Sequence, residues 1–190
     1  MRFLISFLLL LPLFNDAAAQ TKADSISPIF PKVVIINNKQ EVLLAFDNNR
    51  KAYELPSIGF IEGPISIREY MNRTATEIGI TYKSFRLAGM FTYIYPNRYR
   101  TFIRPYFVMQ MEAYANAQGF SDSSYKWFSP VDAVKAIPYP ASAQILQKII
   151  AQPGYVWAAT FEEYGYTNPV DPTKIKFSVL EEFYKLNEMP

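Results

Sequence analysis

Residues 66–80 read SIREYMNRTATEIGI, and this stretch decides the fold. Ile67, Tyr70, Met71, Thr74 and Ile78 recur at helical spacing and form one stripe to be buried. Ser66 with Glu69 three positions on is a capping-box pair. Gly79 is placed to end the helix in a left-handed conformation. The stretch therefore predicts a helix over 66–78 with a sharp stop. Opposite the stripe, Glu69, Asn72, Arg73, Thr76 and Glu77 fall at roughly 0°, −60°, +40°, −20° and +80° for 100° per residue, so they share one polar face.

Strand signals flank this helix on both sides. Lys32–Asn37 (KVVIIN) and Glu41–Asp47 (EVLLAFD) predict a β-hairpin through Asn38-Lys39-Gln40. Ala52–Phe60 (AYELPSIGF) reads as a short strand entering a loop, punctuated by Gly63-Pro64. After the helix, Ile80–Tyr95 is strand-rich, Pro96-Asn97 turns the chain, and Thr101–Ala115 returns as a long strand. Lys126–Pro130 is an aromatic strand end, with Trp127 and Phe128 read as core. Ala141–Ala151 is a second helix whose core face is Ile145, Leu146, Ile149 and Ile150. A Tyr- and Trp-rich extension, 153–190, follows Gln152-Pro153-Gly154. Phe177, Leu180, Phe183, Tyr184 and Leu186 in it predict a closing helix over Phe177–Glu188, docked on the domain or on a partner.

At the other end, Arg2, an apolar run from Phe3 to Phe14 and Ala17-Ala18-Ala19 have the pattern of a secretory signal peptide, with a mature start near Gln20. The run is shorter than the ~18 residues a membrane span needs. The expectation is an exported chain, periplasmic or secreted, with no membrane span after cleavage, a linker over 20–31 and one domain over 32–152.

The 190 residues include no Cys and no His, which removes disulfides, thiol nucleophiles, Cys/His metal sites and His-based triads. A net charge of +2 argues against nucleic acid as a partner. Chemistry is left to carboxylates, Lys, Arg, Tyr, Ser and Thr, or to a hard oxygen-bound ion such as Mg²⁺.

The order of these pieces resembles the Nudix hydrolases. It rests on Tyr53-Glu54-Leu55-Pro56, a Gly-containing loop, the capped helix ending Thr76-Glu77-Ile78-Gly79-Ile80, a long hairpin, Trp127-Phe128-Ser129 and a closing helix. The resemblance covers about residues 32–152. It implies a mixed α/β fold, an α–β–α sandwich around a mixed sheet, here with a C-terminal helical extension. The family box is G-x5-E-x7-R-E-U-x-E-E-x-G-U, where U is apolar. Its helix carboxylates hold Mg²⁺ against a diphosphate that water attacks. Anchored on Gly79, R-E falls on Asn72 and Arg73, and E-E on Thr76 and Glu77. Of those four functional positions only Glu77 is retained, so Glu77 is the one catalytic candidate. Shortening the loop by one residue brings Glu62 to the acidic loop position.

Three readings of this face stay open. It is a solvated face laced with ion pairs, Arg73 pairing with Glu69 or Glu77. Or Arg73 replaces the metal as an anion partner, and the pocket holds a phosphate-containing small molecule without cleaving it. Or a metal site is rebuilt from Glu62, Glu69 and Glu77. Arg100 and Arg104, four apart on one strand face and amid tyrosines, are further ligand-binding candidates. The expected function is an exported Nudix-fold binding or interaction module with no cofactor. The alternative is a Mg²⁺-dependent pyrophosphohydrolase of a nucleoside-diphosphate-linked substrate. The extension is the candidate surface for a protein partner.

Overall fold

The structure is a computed structural model and describes residues 29–61, 63–96, 101–116, 119–120 and 122–188. The expected signal peptide over 1–19 and most of the linker lie outside these residues, as do Glu62 and Arg100.

Among the described residues eight strands and three α-helices follow in order: β1 (Lys32–Ile36), β2 (Val42–Asp47), β3 (Ala52–Glu54), α1 (Ile67–Ile78), β4 (Ile80–Ile94), β5 (Thr101–Tyr114), β6 (Tyr125–Phe128), α2 (Pro130–Ala136), α3 (Pro140–Ala151), β7 (Trp157–Tyr164) and β8 (Lys176–Lys185). The strands form one mixed sheet in the order β3-β2-β1-β5-β4-β7-β8, with β6 paired to β2. β1 runs parallel to β5 and β4 parallel to β7; the other pairings are antiparallel.

Continuous apolar strands such as Val33-Val34-Ile35 require cover on both faces, and the helices supply it. On one face α1 lays Tyr70, Met71 and Ile78 over Val33, Ile35, Leu43, Phe107 and Met109. On the other, α2 and α3 bury Val34, Leu44, Phe91, Tyr106 and Phe161 beneath Ala133, Ile145 and Leu146. This is the expected α–β–α sandwich.

The helix expected over Phe177–Glu188 is instead strand β8, which corrects the helical extension. The residue types explain the difference. Phe, Val and Tyr favour a pleated surface. Phe177, Val179 and Phe183 turn toward the core and the register against β7 shifts twice, while exposed Leu180, Tyr184 and Leu186 complete the apolar spacing that imitates a helical stripe. β7 is not peripheral either: it lies between β4 and β8, and Trp157, Ala159 and Phe161 are core residues. The strand expected over Ala52–Phe60 ends at Glu54. An unexpected helix, α2, begins at Ser129, whose hydroxyl accepts from the Asp132 amide at 3.2 Å, with Pro130 in the first turn.

Gly165 ends β7 at φ 85°, and a Cβ there would sit 2.1 Å from the Lys174 carbonyl oxygen. Neither the dihedral nor the space admits a side chain. Gly165→Ala should lower stability by roughly 2–4 kcal/mol, read as a shifted urea midpoint. An unchanged midpoint would contradict this placement of the β7–β8 connection.

Candidate functional site

Ser66 caps α1 as expected, its hydroxyl accepting from the Glu69 amide at 3.1 Å. The capping box is half formed, because the Glu69 carboxylate turns away from Ser66 and pairs with Arg73 one turn on. Both side chains of that pair are about half exposed. Asn72 accepts a hydrogen bond from the Tyr82 hydroxyl of β4. Ile67, expected in the buried stripe, is exposed at the first turn, while Tyr70, Met71, Thr74 and Ile78 are buried. Glu77 lies one turn beyond Arg73 on the exposed side. Burial pushes the Tyr70 and Tyr125 phenols above their ordinary value, and the Glu77 charge beside them adds to the rise. Among the described residues no three acidic side chains converge closely enough to hold a metal ion.

Beside the C-terminal end of α1 is a cleft of about 290 Å³, lined in part by Lys39, Met111, Glu112, Tyr114 and Trp127. The helix end is tied to its rim, since the Gly79 carbonyl accepts from the Ala115 amide at 2.8 Å. Trp127 is half-buried, tilted against Phe120, and donates its indole N–H to the Tyr114 hydroxyl at 2.9 Å. Phe128 packs edge-on against Tyr53 toward the opposite core. Asn37 is committed to the β1–β2 turn: its amide oxygen accepts from the Lys39 and Glu41 amides, and its Nδ2 donates to Glu41. Glu69, Arg73 and Glu77 are outside the cleft lining.

Arg104 is elsewhere. Lys32, Phe102, Arg104 and Tyr106 all project to the α2–α3 side of the sheet. There the Arg104 guanidinium lies 4.0 Å from the Tyr93 ring centre, beneath Phe30, and donates to the Tyr95 hydroxyl. Tyr95 and Tyr166 in turn donate to Glu163, at 3.2 and 2.6 Å. A second branch ends on Glu54, which meets Lys32 at 3.6 Å and accepts from Ser142 at 3.2 Å. Ser142 has one proton, so its other contact, the Tyr106 hydroxyl at 3.4 Å, must donate to it. Tyr93, 3.3 Å from Tyr106, then donates to Tyr106. Burial pushes the Lys32 ammonium down, against the pull of Glu54.

The structure thus brings Glu69 and Arg73 together, keeps Glu77 on the same helix, and puts Arg104 across the sheet from all three. Sequence reasoning missed Lys32, Glu54 and Glu163. A lysine heading the run KVVII, where alternation turns it inward with Val34, was a readable sign of the first. Removing Arg104 leaves a buried acceptor network without its cation. Arg104→Ala should therefore cost roughly 3–5 kcal/mol. Arg73→Ala breaks an exposed i,i+4 pair and should cost about 0.3–0.5 kcal/mol. Denaturant titration of the two variants checks the contrast, and equal losses would refute it.

No family model and no curated protein matches the chain. Solved structures do resemble it. A MutT protein from Bacillus halodurans superposes with a TM-score of 0.61 at 19% identity, over 85% of this chain and 99% of that one. A NUDIX hydrolase from Nitrosomonas europaea gives 0.53 at 19% identity, over 66% and 90%. The Ap4A hydrolase of C. elegans gives 0.51 at 18% identity, over 68% and 100%. Likeness at this identity speaks for the backbone alone, and on that ground the chain carries a Nudix-like fold.

Proposed function

We propose that this chain is an exported Nudix-fold module that binds a phosphate-containing small molecule or a partner without cleaving it. The observation that carries this reading is the polar face of α1. Where the resemblance implies ligand carboxylates, Arg73 and Thr76 stand, Asn72 takes the place of the box arginine, and Arg73 is paired with Glu69. A hard divalent ion needs several oxygen ligands, carboxylates among them. The described face offers a fixed guanidinium, a neutral hydroxyl, a neutral amide engaged by Tyr82, and carboxylates of which one already has its cation. That donor set does not fit Mg²⁺, and no step is derived through the ion.

One observation favours the hydrolase reading. Glu77 keeps the retained box position in the last turn of α1, two residues before Gly79, whose carbonyl joins the strand end that lines the 290 Å³ cleft. The two readings part under Mg²⁺ or Mn²⁺ titration with a panel of nucleoside diphosphate derivatives. The binding reading expects turnover no higher than the protein-free blank. Metal-dependent release of a nucleoside monophosphate, abolished by Glu77→Gln, would overturn it.

The protein-partner form of the proposal rests on the exposed Leu180, Tyr184 and Leu186 of the last strand and its end. Because β7 is core, truncation at Gln152 would strip Trp157 and Phe161 from the fold. The better test substitutes Leu180 and Tyr184 by Lys in the full chain. Loss of capture from envelope extract, with the melting temperature unchanged, is the expected result.

Export rests on the first nineteen residues. Expressed in a bacterial host, the mature polypeptide should begin at Gln20 by intact-mass measurement. A chain still beginning at Met1 would refute export.

A further inference from the structure

The sheet face away from α1 holds a second cavity, independent of the reading above. It is a slot of about 120 Å³ where the C-terminal turns of α3 pass over the β1–β2 hairpin and the β4–β5 pair. Ile36, Val42, Val108, Ile149 and Ile150 form its walls, and Arg86 is the one charged residue of the described lining.

Two features set Arg86 apart. Its guanidinium donates to the Leu87 carbonyl at 3.3 Å, and among the described residues no carboxylate is within ion-pair distance of it. The register of β4 against β5 also slips on either side of it, between Tyr82 and Ser84 and between Leu87 and Gly89. Such bulges re-aim side chains. Here the strand between them sets Arg86 directly across from Val108, which lines the same slot.

A slot with apolar walls, the amide of Gln40 and one exposed guanidinium with no carboxylate partner among the described residues selects its ligand by exclusion. A zwitterion would bring an ammonium with no carboxylate in the lining to receive it. A phosphate dianion would meet one positive charge, the neutral amide of Gln40 and otherwise hydrocarbon, leaving much of its charge unmatched. A neutral hydrocarbon would leave the guanidinium unused. A monocarboxylate satisfies both halves, since the planar guanidinium fork matches its two oxygens. An engineered apolar cavity of about 150 Å³ accepts benzene, so this smaller slot suits a branched tail of about four or five carbons. We propose that the slot between α3 and the sheet binds a short apolar monocarboxylate, its tail among Val108, Ile149 and Ile150 and its carboxylate on Arg86.

The test is a ¹H–¹⁵N NMR titration of the full chain with 3-methylbutanoate and with its neutral isostere 3-methylbutanamide. The acid should shift β4 and α3 amides saturably with a Kd of order a millimolar. The amide should bind about tenfold more weakly or not at all. Arg86→Gln, at an exposed position, should weaken the acid at least about fivefold with the spectrum otherwise preserved. Ile150→Trp should fill the slot and abolish the shifts. Equal binding of acid and amide, an Arg86→Gln variant that binds as before, or no saturable shift up to ~20 mM would each overturn the proposal. So would binding of the tripeptide Gly-Gly-Leu with the free acid silent, which would assign the slot to a protein C-terminus.

Discussion

One residue governs how the rest of this chain is arranged. Gly79 stands between α1 and the fifteen-residue β4 at φ 84°, its amide turned back to the Ala75 and Thr76 carbonyls. An L side chain resists that conformation, and any other residue would let the helix run on or leave its last carbonyls unsatisfied. The turn passes the chain straight from the helix into the sheet. Ile80 then pairs with Tyr114, and the Gly79 carbonyl takes the Ala115 amide. The end of α1, the start of β4 and the end of β5 are therefore one joint, and the larger cleft sits at its edge. The direction in which α1 leaves the sheet, and with it the placing of its polar face, is set by this turn.

The opposite side of the sheet is organised by charge as much as by apolar packing. Lys32, Glu54, Arg104 and Glu163 come from four different strands, and their charges sum to zero. Isolated, a buried charge would cost several kcal/mol. Here each is met, Lys32 by Glu54 and Arg104 through Tyr95 by Glu163. Removing any one of the four leaves its opposite number buried with less to answer it. The network consequently ties β7 and the loop bearing Tyr166 to β1, β3 and β5. This is a physical reason why residues 157–185 complete the sandwich instead of hanging from it.

What could be read from the residues follows the same division. α1 was legible because its signals are local: a serine cap, a glycine stop and a stripe at one period. The paired long strands were legible because their apolar runs are bounded by Pro96-Asn97. β8 was not, because bulges break the two-residue alternation on which strand reading depends. α2 was not, because seven residues give too little periodicity, although Ser129-Pro130 and Asp132 are a start signal. Arg104 was read as a ligand candidate because spacing along a strand reports a shared face, not which face has a roof. Phe30, Tyr95 and the tyrosines beneath supply that roof from distant positions.

The pairing on the α1 face bears on its chemistry. Placed four residues apart in the order Glu then Arg, Glu69 and Arg73 have the favourable helical arrangement, and both remain exposed. An exposed pair gains little from its contact, so Arg73 would exchange Glu69 for a stronger anion at small cost. A divalent cation must do the reverse: displace a guanidinium, desolvate, and find its remaining oxygens on Thr76 and Glu77. The binding role proposed above therefore rests on Arg73, the cation set between Glu69 and Glu77 on a face whose three charges sum to −1.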